Sequence, residues 1–185
     1  MRGWPKLAFP LILMSAIGFA QQSASPATGK AASGFTLTST AFAPGAEIPE
    51  QYTCKGADIS PPLQWMGAPK KAASFALIMD DPDAPAGVWV HWVMWNVPQS
   101  AHSLPENVDK REQLDDGARQ GPNSFRKVGY NGPCPPAGPT HRYFFRLYAL
   151  DEKLELAAPS SRADLDTAMK GHVLAQSEYM GTFHR

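Results

Sequence analysis

The sequence predicts a mainly β domain, a sandwich of short strands closed by one C-terminal helix. Three observations carry that prediction. The chain holds 18 Pro and 15 Gly, which interrupt elements often and favour short strands over long helices. Its apolar residues gather in runs of strand length bounded by turn residues. Helical periodicity is convincing in one place, near the C-terminus. At 185 residues, 43% hydrophobic and 18% charged, the chain has material for one core.

Phe35-Thr36-Leu37-Thr38-Ser39 alternates and reads as a first strand. Ser74 to Met79 is an apolar run stopped by Asp80-Asp81-Pro82. Val88 to Val97 is apolar on both faces and ends at Pro98; a strand buried on both sides belongs in the middle of a sandwich. In Arg142 to Leu150, alternation puts Arg142, Phe144, Arg146 and Tyr148 on one face and Tyr143, Phe145 and Leu147 on the other. The helix is read from Ser161, as a cap, to near Tyr179. Leu165, Met169, His172, Val173 and Gln176 form its stripe, with Gly171 weakening the middle.

Residues 1–20 read as an export signal rather than part of the fold. Arg2 and Lys6 precede an apolar stretch from Leu7 to Phe19, and Gly18-Phe19-Ala20 offers small residues for cleavage after Ala20. That stretch is shorter than the roughly 20 residues a membrane span needs. Residues 21–33, rich in Ala, Ser and Gln, read as a disordered tether, and the folded domain is expected over 34–185. The expected location is periplasmic or secreted.

The formal net charge is zero. Losing Arg2 and Lys6 from 17 basic residues leaves 15 against 17 acidic ones, so no field draws the protein to nucleic acid. Two cysteines, Cys54 and Cys134, permit one disulfide in an exported protein, closing a loop of about 80 residues. Two unpaired thiols are the alternative.

Three segments hold candidate chemistry. Asp80-Asp81-Pro82-Asp83-Ala84-Pro85 puts three carboxylates where a buried strand enters a proline-stiffened turn. Asp80 and Asp83 read as solvated turn residues, with Asp83 capping its own backbone. Asp81, between strand end and proline, reads as functional. His91 lies among aromatic and aliphatic neighbours and, in a regular strand, shares a face with Trp89, Val93 and Trp95. The third segment, Gly129 to Tyr143, is a loop rich in Pro and Gly that delivers His141 onto the next strand. Its glycines suit close approach of backbone N–H groups to a ligand.

These motifs resemble the phosphatidylethanolamine-binding protein family, in its bacterial Raf kinase inhibitor-like branch. The resemblance rests on Asp81-Pro82-Asp83-Ala84-Pro85, Trp89-Val90-His91-Trp92, and Gly132-Pro133 followed by His141-Arg142-Tyr143. Tyr52-Thr53-Cys54-Lys55-Gly56, Ser60-Pro61-Pro62-Leu63-Gln64-Trp65 and Gly171 to Ala175 support the branch. It implies a phosphatidylethanolamine-binding-protein-like β-sandwich with a C-terminal helix and a small anion pocket at Asp81, Trp89, His91, Gly132, His141 and Tyr143, with Ala84 nearby. The proline-rich loop with Cys134 departs from the eukaryotic members and argues against carrying over their kinase-regulating role.

The expected function is therefore non-catalytic binding of a small phosphate-like anion or phospholipid head group. The two imidazoles and backbone N–H groups would supply donors. Asp81 would fix a histidine tautomer, accept from a protonated phosphate, or bind a ligand's ammonium end. The runner-up is an inhibitor or regulator acting on a protein partner, an exported protease or a kinase. A phosphoesterase with His91 or His141 as nucleophile ranks third: the chain has no G-x-S-x-G or H-E-x-x-H. No cofactor, metal site or nucleic-acid partner is expected, and a homodimer stays open.

Overall fold

The computed structural model describes residues 34–185, together with Met1 and Gly3. Apart from those two residues, the expected export signal and tether lie outside the described residues.

Two antiparallel sheets form a sandwich. The smaller has strands β1 (Thr36–Thr38), β2 (Leu63–Met66) and β5 (Ser103–Leu104), in the order β1-β2-β5. The larger has β3 (Ser74–Asp81), β4 (Trp89–Pro98), β6 (Arg119–Gln120), β7 (His141–Leu150) and β8 (Val173–Phe183), in the order β6-β4-β3-β7-β8. Strand β3 is central, and every one of its residues is buried. Its alternation serves two cores. Phe75, Leu77 and Met79 join Tyr143, Phe145 and Leu147 of β7 against Leu37, Leu63 and Trp65 of the small sheet. Ala76 and Ile78 face the other way, onto Leu165 of helix α1 (Arg162–Ala168) and Met169, its C-cap. Burying an aliphatic side chain contributes on the order of 1.5–3 kcal/mol, so these layers carry most of the stabilisation.

The two faces read from the sequence for β7 are the observed ones: Tyr143, Phe145 and Leu147 are buried, while Arg142 is exposed and Phe144, Arg146 and Tyr148 are half-buried. The short strands β2, β5 and β6 escaped the sequence reading because two to four residues carry too little periodicity to stand out.

The helix is far shorter than expected. Ser161 caps it with a reciprocal Ser161–Asp164 capping box, but it stops at Ala168, and residues 173–183 form a strand. Gly171, at φ +87°, stands just past its end in the left-handed conformation that terminates helices. After it, Ala175, Tyr179, Gly181 and Phe183 are buried with a period of two. The apparent helical stripe through Val173 and Gln176 joined two elements across that glycine.

Strand β4 departs from regularity at His91. Met79 pairs with Trp92 and Asp80 with Val90, leaving His91 as the extra residue of a bulge. Val93 and Trp95 face helix α1. The His91 ring instead packs edge-on against Tyr143, a residue of the inter-sheet core, with centroids 5.2 Å apart. The shared face expected for His91, Val93 and Trp95 is therefore corrected by a local change of twist.

Candidate functional site

Strand β3 ends at Asp81, which pairs with Trp89 where β4 begins. Its carboxylate works in two directions. Oδ1 accepts from the Asp83 N–H at 2.8 Å and closes the turn; Oδ2 accepts from Nδ1 of His141 at 2.8 Å. The capping expected of Asp83 is thus performed by Asp81. Asp83 reaches out to Arg142 instead, accepting from its backbone N–H (3.0 Å), Nε (2.8 Å) and Nη2 (2.7 Å). The Arg142 guanidinium lowers the Asp83 carboxyl to about 2.

Asp80 is no solvated turn residue. It is 3% exposed, at the end of the central strand, and its carboxylate is held by Arg146 at 3.2 Å and Arg162 at 2.8 Å. Adjacent strand residues point to opposite faces. Asp80 therefore ties helix α1 to the sheet while Asp81 meets His141.

His141 opens β7, and His91 lies on the neighbouring side of β3. Both are buried, at 3% and 2% exposure. Each has Nδ1 committed: His141 to Asp81, and His91 to the carbonyl oxygen of Asn131 at 2.7 Å. A carbonyl only accepts, so His91 carries its hydrogen on Nδ1, and the hydrogen-bond geometry among the described residues leaves Nε2 to the cavity. Burial lowers the pKa of His91, outweighing the opposing Asn131 bond and the charge of Asp81. In this neutral form Nε2 is an acceptor.

A cavity of about 320 Å³ opens beside these groups. Asp81, Trp89, His91 and His141 line it, with Phe125 and Cys134 among the other walls. Trp89 and His91 each pack edge-on against Phe125, at 5.4 Å. The structure so brings together four of the six residues singled out from the sequence. The other two stand behind them. Tyr143 is fully buried against His91, and burial, with the charge of Asp81 adding to it, raises its pKa strongly. Gly132 does not line the cavity. Its N–H donates to Asp58 Oδ1 at 2.6 Å, and a Cβ there would fall 2.0 Å from the Tyr52 carbonyl oxygen. The glycine serves a close approach of two backbones rather than exposing a donor.

That approach is reinforced by a disulfide between Cys54 and Cys134, with Cα atoms 5.4 Å apart. The pairing the cysteine count permitted is present, and it anchors one wall of the cavity. Phe125, Asn131 and Asp58 were missed from the sequence. Phe125 alone left a signal, as the single large apolar residue in a polar stretch. Among the described residues, no group of three or more His, Cys, Asp or Glu is placed to hold a metal.

Two antiparallel sheets, a bulge in β4 and a cavity bordered by two histidines define a β-sandwich protein with one candidate site at the end of its central strand. The model of the phosphatidylethanolamine-binding protein family matches residues 38–184, and the chain belongs to that family. A UPF0098 protein of Methanothermobacter thermautotrophicus is 51% identical over 149 residues, covering 80% of this chain and 98% of that one. A UPF0098 protein of Chlamydia pneumoniae is 44% identical over 154 residues, with the same coverage. Two crystal structures are similar across 82% of this chain and 98% of theirs. One is YbcL of E. coli, described as a member of the mammalian PEBP family, with TM-score 0.76 and 33% identity. The other is the PEBP homologue CT736 of Chlamydia trachomatis, with TM-score 0.75 and 39% identity.

Proposed function

We propose that this protein is an exported, non-catalytic binder of a small phosphate-like anion, held in the cavity at Asp81, Trp89, His91 and His141. The observation that carries the reading is the pair of buried imidazoles, each anchored through Nδ1 and each lining one cavity. Anchoring both rings removes the cost of ordering them when a ligand arrives. When protonated, His141 donates from Nε2 to an anion while Asp81 balances its charge. His91 accepts from a ligand hydroxyl, so a hydrogen phosphate suits the pair better than a bare polyanion. Of the roles open to Asp81, the hydrogen bond to His141 favours fixing the tautomer. The largely apolar walls fit an organic substituent on the anion.

Export is supported by the composition of residues 1–20 and by a disulfide, a bond that persists in oxidising compartments. The binding test is calorimetric titration with inorganic phosphate, comparing the wild type with His141→Ala. Saturable binding that the substitution weakens at least tenfold supports the reading, and heat that the substitution leaves unchanged rejects it.

The Asp81–His141 hydrogen bond also favours a second reading, a phosphoesterase in which Asp81 orients His141 as base or nucleophile. Turnover of phosphomonoesters that disappears with His141→Ala would replace binding by catalysis.

A further inference from the structure

Asp58 lies outside the cavity, and no sequence motif drew attention to it. Its backbone φ is +55°, in the left-handed region that aspartate and asparagine adopt more readily than most residues with a side chain. Its carboxylate grips two successive residues of the loop that leads to the proline-rich segment. Oδ2 accepts from Nδ2 of Asn131 and Oδ1 from the N–H of Gly132, both at 2.6 Å. Lys110 secures Asp58 in turn, its Nζ lying 2.7 Å from the Asp58 carbonyl oxygen and 3.1 Å from Oδ2. The peptide so held carries the carbonyl oxygen that receives Nδ1 of His91 at 2.7 Å, and the Asn131 N–H returns a bond to the His91 carbonyl at 3.1 Å.

We infer that Asp58 is a positioning residue for the cavity, fixing the Asn131 carbonyl and through it the nitrogen that His91 presents to a ligand. If the carbonyl turns away, Nδ1 loses its acceptor, and the imidazole is free to exchange its hydrogen between the two nitrogens. The cavity would then lose a defined acceptor at Nε2. The disulfide is the obvious competitor for this task. It holds Cys134, and the Cys54 N–H holds the Pro133 carbonyl at 3.1 Å. Both contacts fall beyond Gly132, and neither touches Asn131. Asn123 also reaches Asn131, donating from Nδ2 to its Oδ1 at 2.9 Å, so the side chain is gripped from both ends. Among the described residues, only Asp58 hydrogen-bonds to both Asn131 and Gly132 through its side chain.

The ligand part of this inference rests on the anion-binding reading; the tautomer part does not. The test uses the disulfide-bonded protein and the substitution Asp58→Asn, since asparagine tolerates the left-handed backbone. It keeps the shape but offers one acceptor oxygen where two are used. Long-range ¹⁵N imidazole spectra report each tautomer, and titration with inorganic phosphate reports binding. The expected result has three parts: His91 in the wild type is a single Nδ1–H form and becomes mixed in the variant; His141 is unchanged; and phosphate binding weakens about tenfold. Asn131→Ala, which keeps the carbonyl but removes its side-chain anchors, should mix the His91 tautomers as well. Should Asp58→Asn fail to fold, Asp58→Gly, which suits the positive φ and removes both acceptors, decides in its place, and loss of folding in both assigns Asp58 to stability and overturns the inference. A single unchanged His91 tautomer in the folded Asp58 variants also overturns it. A wild type that does not bind phosphate defeats the anion reading instead, and the tautomer comparison still decides the role of Asp58.

Discussion

Asp81 and His141, 60 positions apart, meet through a 2.8 Å hydrogen bond with both side chains almost sealed from solvent. The bond ties the end of β3 to the start of β7 at the cavity wall. Asp81→Ala removes the acceptor and leaves a buried ring nitrogen unpaired, which costs about 1–3 kcal/mol. Urea unfolding should record that loss, and phosphate titration should show affinity falling at least tenfold.

His91 leads to a prediction about ligand chemistry. Its neutral ring presents an acceptor, so a ligand without a hydrogen to donate leaves Nε2 unpaired. At about pH 5, below the second phosphate pKa of about 6, and with ¹⁵N imidazole spectra recording His91 as neutral at that pH, phenyl phosphate and methyl phenyl phosphate carry similar charge and similar apolar bodies. Only the monoester has a P–OH. Calorimetry should find it roughly tenfold tighter. Equal affinities would show that His91 does not act as an acceptor.

Asp83 should contribute to acid sensitivity. Arg142 lowers its carboxyl from 3.8 to about 2 in the folded protein. Its contribution is therefore fully present above 3.8 and disappears as pH falls through about 2. Arg142 is 53% exposed and Asp83 28%, so screening limits the effect to under about 1 kcal/mol. Between pH 4 and pH 2 the wild type should lose slightly more stability than Arg142→Gln in paired urea titrations.

Buried Asp80 depends on both of its arginines. Removing Arg146 and Arg162 together strands a carboxylate whose side chain is 4% exposed. The double substitution to Ala should cost about 3–5 kcal/mol. Adding Asp80→Asn should recover part of that in a denaturation series, because a neutral amide is less costly to bury unpaired.

The disulfide closes a loop across a sequence separation of 80. Replacing both cysteines with serine should lower unfolding free energy by about 4 kcal/mol. A drop well under 1 kcal/mol would mean that the unfolded chain gains little freedom when the bond is absent.

The mainly β class, the strands β3, β4 and β7 and the four cavity residues were legible in the amino-acid sequence for a simple reason. Alternation, turn residues and ordered motifs are local properties, and each needs only a handful of neighbours to be read. What tertiary structure decided is equally specific. Gly171 ended the helix because the residues beyond it bury a two-residue period against the inter-sheet core. The bulge in β4 turned the His91 ring toward Tyr143, a consequence of pairing register that no single strand encodes. Asp58 entered the support of the site, and Gly132 turned its N–H away from any ligand, because two distant loops pack backbone to backbone. Hydrogen-bond partners are chosen by proximity in space, and over separations of 70 residues or more, as between Asp58 and Asn131, only the folded chain specifies it.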